Sequence, residues 1–346
     1  DSVKKFQFES AASLYGAPSA VLTRPLLIGE FSCNPDLTTT ANSLNRRYLI
    51  NMDEKFKPTF DLNAGFERYV KKDPDIYSND LRKLQEWAIF KRNHYDYESN
   101  HELFYEAEIV SCRGVLTNIA RTPFQNDSWR IVAVRHNGII YLHDCGAVDG
   151  RTFVTRDEKQ ARSTYWGHHF HRCMTTSRDG RRHVGEEDVV DTRQTFNSIF
   201  RSDIIIPDEN LTRLKLTYAA EIKAVDNNNT FIDFRTCYER THPNDWKSRW
   251  WFWWIQSHLV GVDRIYVGFK NENGIVRRVK MVKRTALKEH SAFQCTVAMN
   301  FLAKVLLEIK NQCDDSLQIS HDRQKVFFEP ADRDKDFLIE EFTKLT

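Results

Sequence analysis

Residues 218–237, YAAEIKAVDNNNTFIDFRTC, alternate apolar and polar side chains on both sides of the turn-rich segment Asp226-Asn227-Asn228-Asn229. Such a period of two sets successive side chains on opposite faces of an extended strand, so the stretch predicts a β-hairpin in a half-buried sheet. It also predicts where charge collects. Glu221 and Lys223 share one face while Ile222 takes the other, and Asp233 and Arg235 repeat the arrangement around Phe234. Two acids and two bases crowded on one side are either a solvent-facing ladder of cross-strand ion pairs or part of a site.

Similar runs recur along the chain. WRIVAVRH and IIYLHD flank His136-Asn137-Gly138, and RIYVGFK and IVRRVKMVKR flank Asn273-Gly274, predicting two more hairpins. Strands are expected near 196–206 and 213–237, and YWGHHFHRCMTT is read as extended, which puts His169, His171 and Cys173 on one strand face. Helical spacing appears after Ser78, where Leu81, Leu84, Trp87 and Ala88 form a stripe ending near Lys91-Arg92-Asn93. It appears again in the tryptophan-rich segment 246–259 and in 291–311, with Val297, Ala298, Phe301, Val305 and Ile309. EAEIVSCRGVLTNIA fits either helix or strand. Residues 1–60, with GAPSA, TRPLLIGEFS and NPDLTTTANS, look like an irregular arm wrapped on the body. The class is mixed α/β with sheets flanked by helices, in one domain over 1–346.

Bulk properties remove several functions. With 50 basic and 48 acidic residues there is no net field to draw the chain onto nucleic acid or an anionic membrane, so any RNA contact must come from local patches. The seven cysteines are scattered and odd in number, which argues for reduced thiols in an intracellular protein. The strongly apolar WWFWWI is far short of the roughly 20 residues that cross a bilayer, so no membrane role is expected. The chain opens at Asp1 without a methionine, which fits a trimmed N-terminus.

Glu-x-Asp on one strand facing Glu-x-Lys on the next is a metal-nuclease arrangement, in which carboxylates hold Mg²⁺ or Mn²⁺ and the lysine steadies the attacking water. The hairpin here has that layout with altered letters. Together with LLIGEFS, VSCRGVLTNIARTPF, YWGHHFH, AAEIKAVD, FIDFRT and WWIQSHLVGVDRIYVGFKNENG, it resembles the DXO family of RNA 5′-end decapping enzymes and 5′→3′ exonucleases. The resemblance runs over roughly 300 residues in order. It implies a DXO-like fold of two mixed β-sheets flanked by helices, related to metal-dependent nucleases.

Taken residue by residue, the resemblance keeps some roles and loses others. Arg113 in CRG matches the motif arginine expected near RNA phosphates, and Gln256 in WIQS matches a glutamine beside the active site. His171 stands where the motif calls for a metal-binding glutamate. Lys223 replaces an aspartate of the EVD pair that begins at Glu221, and Asp233-Phe234-Arg235 replaces the ELK triplet. The family site, four carboxylates against a lysine, carries a formal charge of about −3. Here Glu221 and Asp233 against Lys223 and Arg235 sum to zero with His171 neutral. An ammonium about 4 Å from a dication costs roughly 8 kcal/mol at an effective dielectric of about 20, before compensation. The resemblance therefore implies a member with no catalytic residues, no metal and no small-molecule cofactor, in which Lys223 and Arg235 neutralise the two acids.

The function expected on that basis is RNA-associated: binding RNA 5′ ends, or bridging them to a protein adaptor partner. Within the family a missing catalytic set is the trait of an insect germline factor that protects piRNA-precursor transcripts, which extends the expectation to nuclear RNA metabolism. Two alternatives stand beside it. One is a working decapping enzyme or exoribonuclease with Mg²⁺ or Mn²⁺ held by Glu221 and Asp233; the other is a protein-interaction scaffold without RNA. His168, His169, His171 and Cys173 offer zinc-type ligands, although adjacent residues of one strand rarely close a tetrahedron. The tryptophans at 246, 250, 251, 253 and 254 could stack bases but cover nearly a whole helix, as a core element would. Arg277, Arg278 and Lys280 begin a basic run that could track an RNA backbone, and SRDGRRHVGEED is read as an exposed mobile loop.

Overall fold

The computed structural model describes residues 4–6, 11–53, 56–72, 80–95, 97–125, 127–146, 158–182, 189–242, 245, 247–323, 325–331 and 337–344. Among these, eleven strands join in one sheet and seven in another. Both are mixed. In the larger sheet Arg213–Glu221 runs antiparallel to Thr195–Ile205 and parallel to Ile109–Cys112. In the smaller, Phe231–Tyr238 runs parallel to Arg264–Lys270, which turns antiparallel into Ile275–Lys283.

The hairpin expected over 218–237 is divided between the two sheets. Arg213–Glu221 belongs to the larger sheet, whereas Ala224–Val225 and Phe231–Tyr238 belong to the smaller. Ile222 N–H still bonds Phe196 O at 2.9 Å, and three residues later Val225 N–H bonds Arg47 O at 2.9 Å in the other sheet. Alternation continues through the switch, so the period of two cannot reveal it. The turn itself forms as the sequence indicates. Asp226 Oδ1 accepts the N–H groups of Asn228 and Thr230 at 2.9 and 2.8 Å, and Asn229 takes the left-handed φ of 57° that asparagine tolerates.

YWGHHFHRC is not extended as its sequence suggested but lies in the helix Glu158–Cys173. Its buried residues are Tyr165, Trp166, His169, Phe170 and Cys173. Spacings of one, four, five and eight define a helical stripe, and the short window HHFHRC hides it. Two glycines admit this stripe to the smaller sheet. A Cβ on Gly268 would come within 2.6 Å of the Phe170 ring, and one on Gly274, whose φ is +76°, within 2.7 Å of the Trp166 indole. Gly274→Ala should therefore cost about 1–3 kcal/mol, from positive φ and a rigid ring that cannot withdraw, as measured by urea unfolding.

Other boundaries follow the pattern. EAEIVSCRGVLTNIA divides into the strand Ile109–Cys112 and the helix Arg113–Arg121, and both remaining hairpins form about Asn137-Gly138 and Asn273-Gly274. Residues 1–60 are not wholly irregular, since Leu26–Cys33 inserts beside Thr195–Ile205. Ser78 and Trp246 lie outside the described residues, as does much of SRDGRRHVGEED; the helix expected after Ser78 is Asp80–His94.

The tryptophan helix Trp250–His258 buries Trp250, Trp251, Trp253 and Trp254 in one core with residues of both sheets and of the helix Ala292–Gln312. Tyr218 Oη donates to Leu259 O at 2.6 Å, fixing the helix end against the larger sheet. Base stacking on these rings is thus excluded by burial. Ala292–Gln312, at 21 residues, is apolar and long enough to cross a membrane, unlike WWFWWI, yet it packs in this core with 61% of its most apolar window buried. All seven cysteines are free thiols, six of them buried.

Candidate functional site

The crossing between sheets creates the site. Lys223 stands in the crossing, two residues beyond Glu221 at the end of its strand, and its Nζ donates to Glu221 Oε1 at 2.5 Å. On the smaller sheet Arg235 Nη2 lies 2.6 Å from Asp233 Oδ2 and donates to Gln256 Oε1 at 2.7 Å. Asp233 Oδ1 accepts the Phe234 N–H at 2.8 Å. Each acid is thus paired with the base two residues along its own chain segment, and no cross-strand ladder forms. Asp233 is only 7% exposed, so its pair is no solvated surface decoration.

The helix Glu158–Cys173 delivers His171 to the same crossing. His171 Nε2 lies 2.5 Å from Lys223 O, and because a carbonyl only accepts, Nε2 carries the hydrogen. Burial above all, then the charges of Lys223 and Arg47, holds this imidazole well below the usual histidine range. A neutral N–H donor thus stands at position 171, facing the crossing. It grips the backbone of the residue that supplies the ammonium.

Two adjoining cavities meet at Glu221. The larger, about 350 Å³, is lined by the basic side chains of Arg46, Arg47, Lys71, Lys72, Arg172 and Lys223 against the acids Asp191 and Glu221, six to two, with His168 and His171 between them. The smaller, about 170 Å³, brings Arg113 and Gln256 beside Glu221, together with Lys72, Lys83 and Arg193. Through its bond to Gln256, the Asp233–Arg235 pair is tied to this second wall. Arg46 is engaged by Glu30 and Arg193 by Asp191, so part of the basic lining is held in fixed orientation. Among the described residues, bases still outnumber acids in this lining, in a chain whose total charge is near zero.

Titration at the crossing has a definite sign. Burial would raise the Glu221 carboxyl, but the charge and hydrogen bond of Lys223, with His168 and Arg113, hold it at about 2. Burial, then Lys223, lowers the His168 imidazole to about 4 against the opposing pull of Glu221. For both groups the unfolded chain binds its proton at higher pH than the folded one. Stability from His168 is present above pH 6.5 and lost as pH falls to about 4, and that from Glu221 is lost between 4.5 and about 2. The free energy of urea unfolding should fall as pH drops from 7 to 4, and His168→Gln should flatten that slope; an unchanged slope would remove His168 from the balance.

The description RAI1 like PD-(D/E)XK nuclease matches residues 23–343. The chain belongs to this family. Among curated relatives, the Caenorhabditis elegans decapping nuclease dom-3 is 25% identical over 296 residues, covering 82% of this chain and 72% of the relative. The human decapping and exoribonuclease protein is 26% identical over 314 residues, covering 85% and 76%. A Candida albicans Rai1 structure in complex with pU5-Mn²⁺ superposes with a TM-score of 0.79 at 17% identity over 100% of this chain and 99% of that one. These RAI1-like relatives confirm the expected class of two mixed sheets with flanking helices.

Within this RAI1-like fold the remaining sequence candidates separate clearly. The histidine cluster does not converge on zinc: His169 Nδ1 turns to Leu62 O at 3.2 Å while His171 faces Lys223, and among the described residues no three His, Cys, Asp or Glu gather as a metal set. Arg277, Arg278 and Lys280 lie exposed on Ile275–Lys283 and line neither cavity. Alternation divides them, and Arg278 stacks 3.9 Å over the Phe269 ring. Sequence reasoning overlooked Arg46, Arg47, Lys71, Lys72 and Arg172, whereas His168 of the histidine cluster does line the cavity. The paired bases Arg46-Arg47 and Lys71-Lys72 were a visible signal, but only the fold shows that they share a cavity.

Proposed function

We propose that this RAI1-like protein is a pseudoenzyme that binds RNA at its 5′ end without cleaving it, serving as an adaptor in nuclear RNA metabolism. One observation carries the reading: both acids left at the motif positions are already neutralised, Glu221 by Lys223 at 2.5 Å and Asp233 by Arg235 at 2.6 Å. Mn²⁺ or Mg²⁺ is held by anionic oxygen in near-octahedral geometry. The donors here do not fit such an ion, because each carboxylate shares its charge with an adjacent base and the third motif position offers an imidazole N–H. Hydrolysis that depends on activated water on a metal therefore has no support in this donor set.

RNA affinity is supported by the basic lining around Glu221 and by Arg113 and Gln256 beside it. Single-stranded RNA should bind with an affinity that falls steeply with salt, giving a log–log slope of about −2 or steeper by fluorescence anisotropy. A slope near zero would favour a pure protein scaffold. For catalysis, purified protein is incubated with Mg²⁺ or Mn²⁺ and 5′-monophosphate, 5′-triphosphate or NAD-capped RNA, and no mononucleotide or cap is released. Release that disappears in Glu221→Ala would establish the opposing reading, an active decapping exoribonuclease like the named relatives.

A further inference from the structure

We infer that Lys223 is itself a phosphate ligand, a built-in cation that gives this protein a metal-independent site for the 5′-terminal phosphate of RNA. The inference rests on the RNA-binding reading above and specifies how that binding works. Lys223 lines the larger cavity with its side chain 23% exposed, so the ammonium is neither sealed in the core nor fully solvated. An ammonium carries three N–H donors, and among the described residues Glu221 is the hydrogen-bond partner of its Nζ. The remaining donors can take phosphate oxygens while Glu221 keeps the ammonium in place.

Placement is the work of His171. Its Nε2–H on Lys223 O fixes the backbone from which the ammonium projects, so His171 is a positioning residue. The two departures from the family motif are therefore physically coupled. A carboxylate at position 171 would present oxygen to the Lys223 carbonyl oxygen, and an aspartate at 223 would remove the cation. A terminal phosphate suits the cavity better than an internal one, because near neutral pH it carries close to two charges against one and can accept from several donors. Among the described residues, basic side chains outnumber acidic ones in the lining around Lys223, which favours an anion over a cation there.

The test compares fluorescent RNA decamers bearing a 5′-monophosphate or a 5′-hydroxyl, bound to the full chain in EDTA and again in Mn²⁺, with inorganic phosphate as competitor. Wild-type protein should prefer the phosphorylated RNA by about tenfold in EDTA, and Mn²⁺ should leave the preference unchanged. Millimolar inorganic phosphate should compete only weakly. Lys223→Met should abolish the preference and reduce the salt slope by about one, while Lys223→Arg retains it. His171→Gln, which keeps an N–H donor, should preserve the preference, and His171→Leu should weaken it. Thermal unfolding of each variant confirms that it is folded. Equal affinity for the two RNAs, a preference that requires Mn²⁺, or a preference kept by folded Lys223→Met would overturn the inference. The pseudoenzyme reading fails separately, on hydrolysis.

Discussion

His171→Glu combined with Lys223→Asp should yield a protein that binds Mn²⁺ in isothermal titration calorimetry, with a dissociation constant on the order of 0.1–1 mM. The two changes shift the formal charge at the sheet crossing by about three units toward negative. They also remove the ammonium whose repulsion of a dication is worth roughly 8 kcal/mol at an effective dielectric of about 20. Arg235 remains on Asp233, which keeps the restored site weak. Lys223→Asp alone should bind less well, because position 171 then still offers an imidazole N–H in place of a carboxylate. No heat from the double variant would mean that the crossing differs from a metal site in shape as well as in charge.

Arg235→Met should lower the free energy of unfolding by about 3–5 kcal/mol in urea. The methionine fills similar space, so the loss comes from charge. Asp233 has a side chain only 10% exposed, and without the guanidinium its carboxylate keeps, among the described residues, the Phe234 N–H. Removing both charges with Asp233→Asn and Arg235→Gln should cost less than Arg235→Met alone, because no uncompensated ion is then buried. A loss below about 1 kcal/mol for Arg235→Met would show that water reaches Asp233 and that the pair is not structural.

Much of this was legible in the chain itself, and the failures have physical causes. The two Asn-Gly hairpins, the Asp226 turn and the buried tryptophan helix each depend on local chemistry, which a sequence displays directly. The charge pairs were legible too, since Glu221-x-Lys223 and Asp233-x-Arg235 place each base beside its acid in any extended chain. What alternation could not show was that the backbone leaves one sheet and enters another within Ile222–Lys223. Period-two reading also failed over HHFHRC, because a run of mostly polar residues conceals the stripe that Tyr165, Trp166 and Phe170 make obvious once the window is widened. Arg46, Arg47, Lys71 and Lys72 come from loops far away in sequence, and only tertiary packing brings them to one wall.

Electron paramagnetic resonance of Mn²⁺ titrated into the wild-type protein decides whether the crossing can hold a divalent ion. With both acids neutralised by their own neighbours, the spectrum should remain that of free aqueous Mn²⁺ at equimolar protein and metal. Loss of the free-ion signal that saturates at one or two equivalents, and returns in Asp233→Ala, would contradict it.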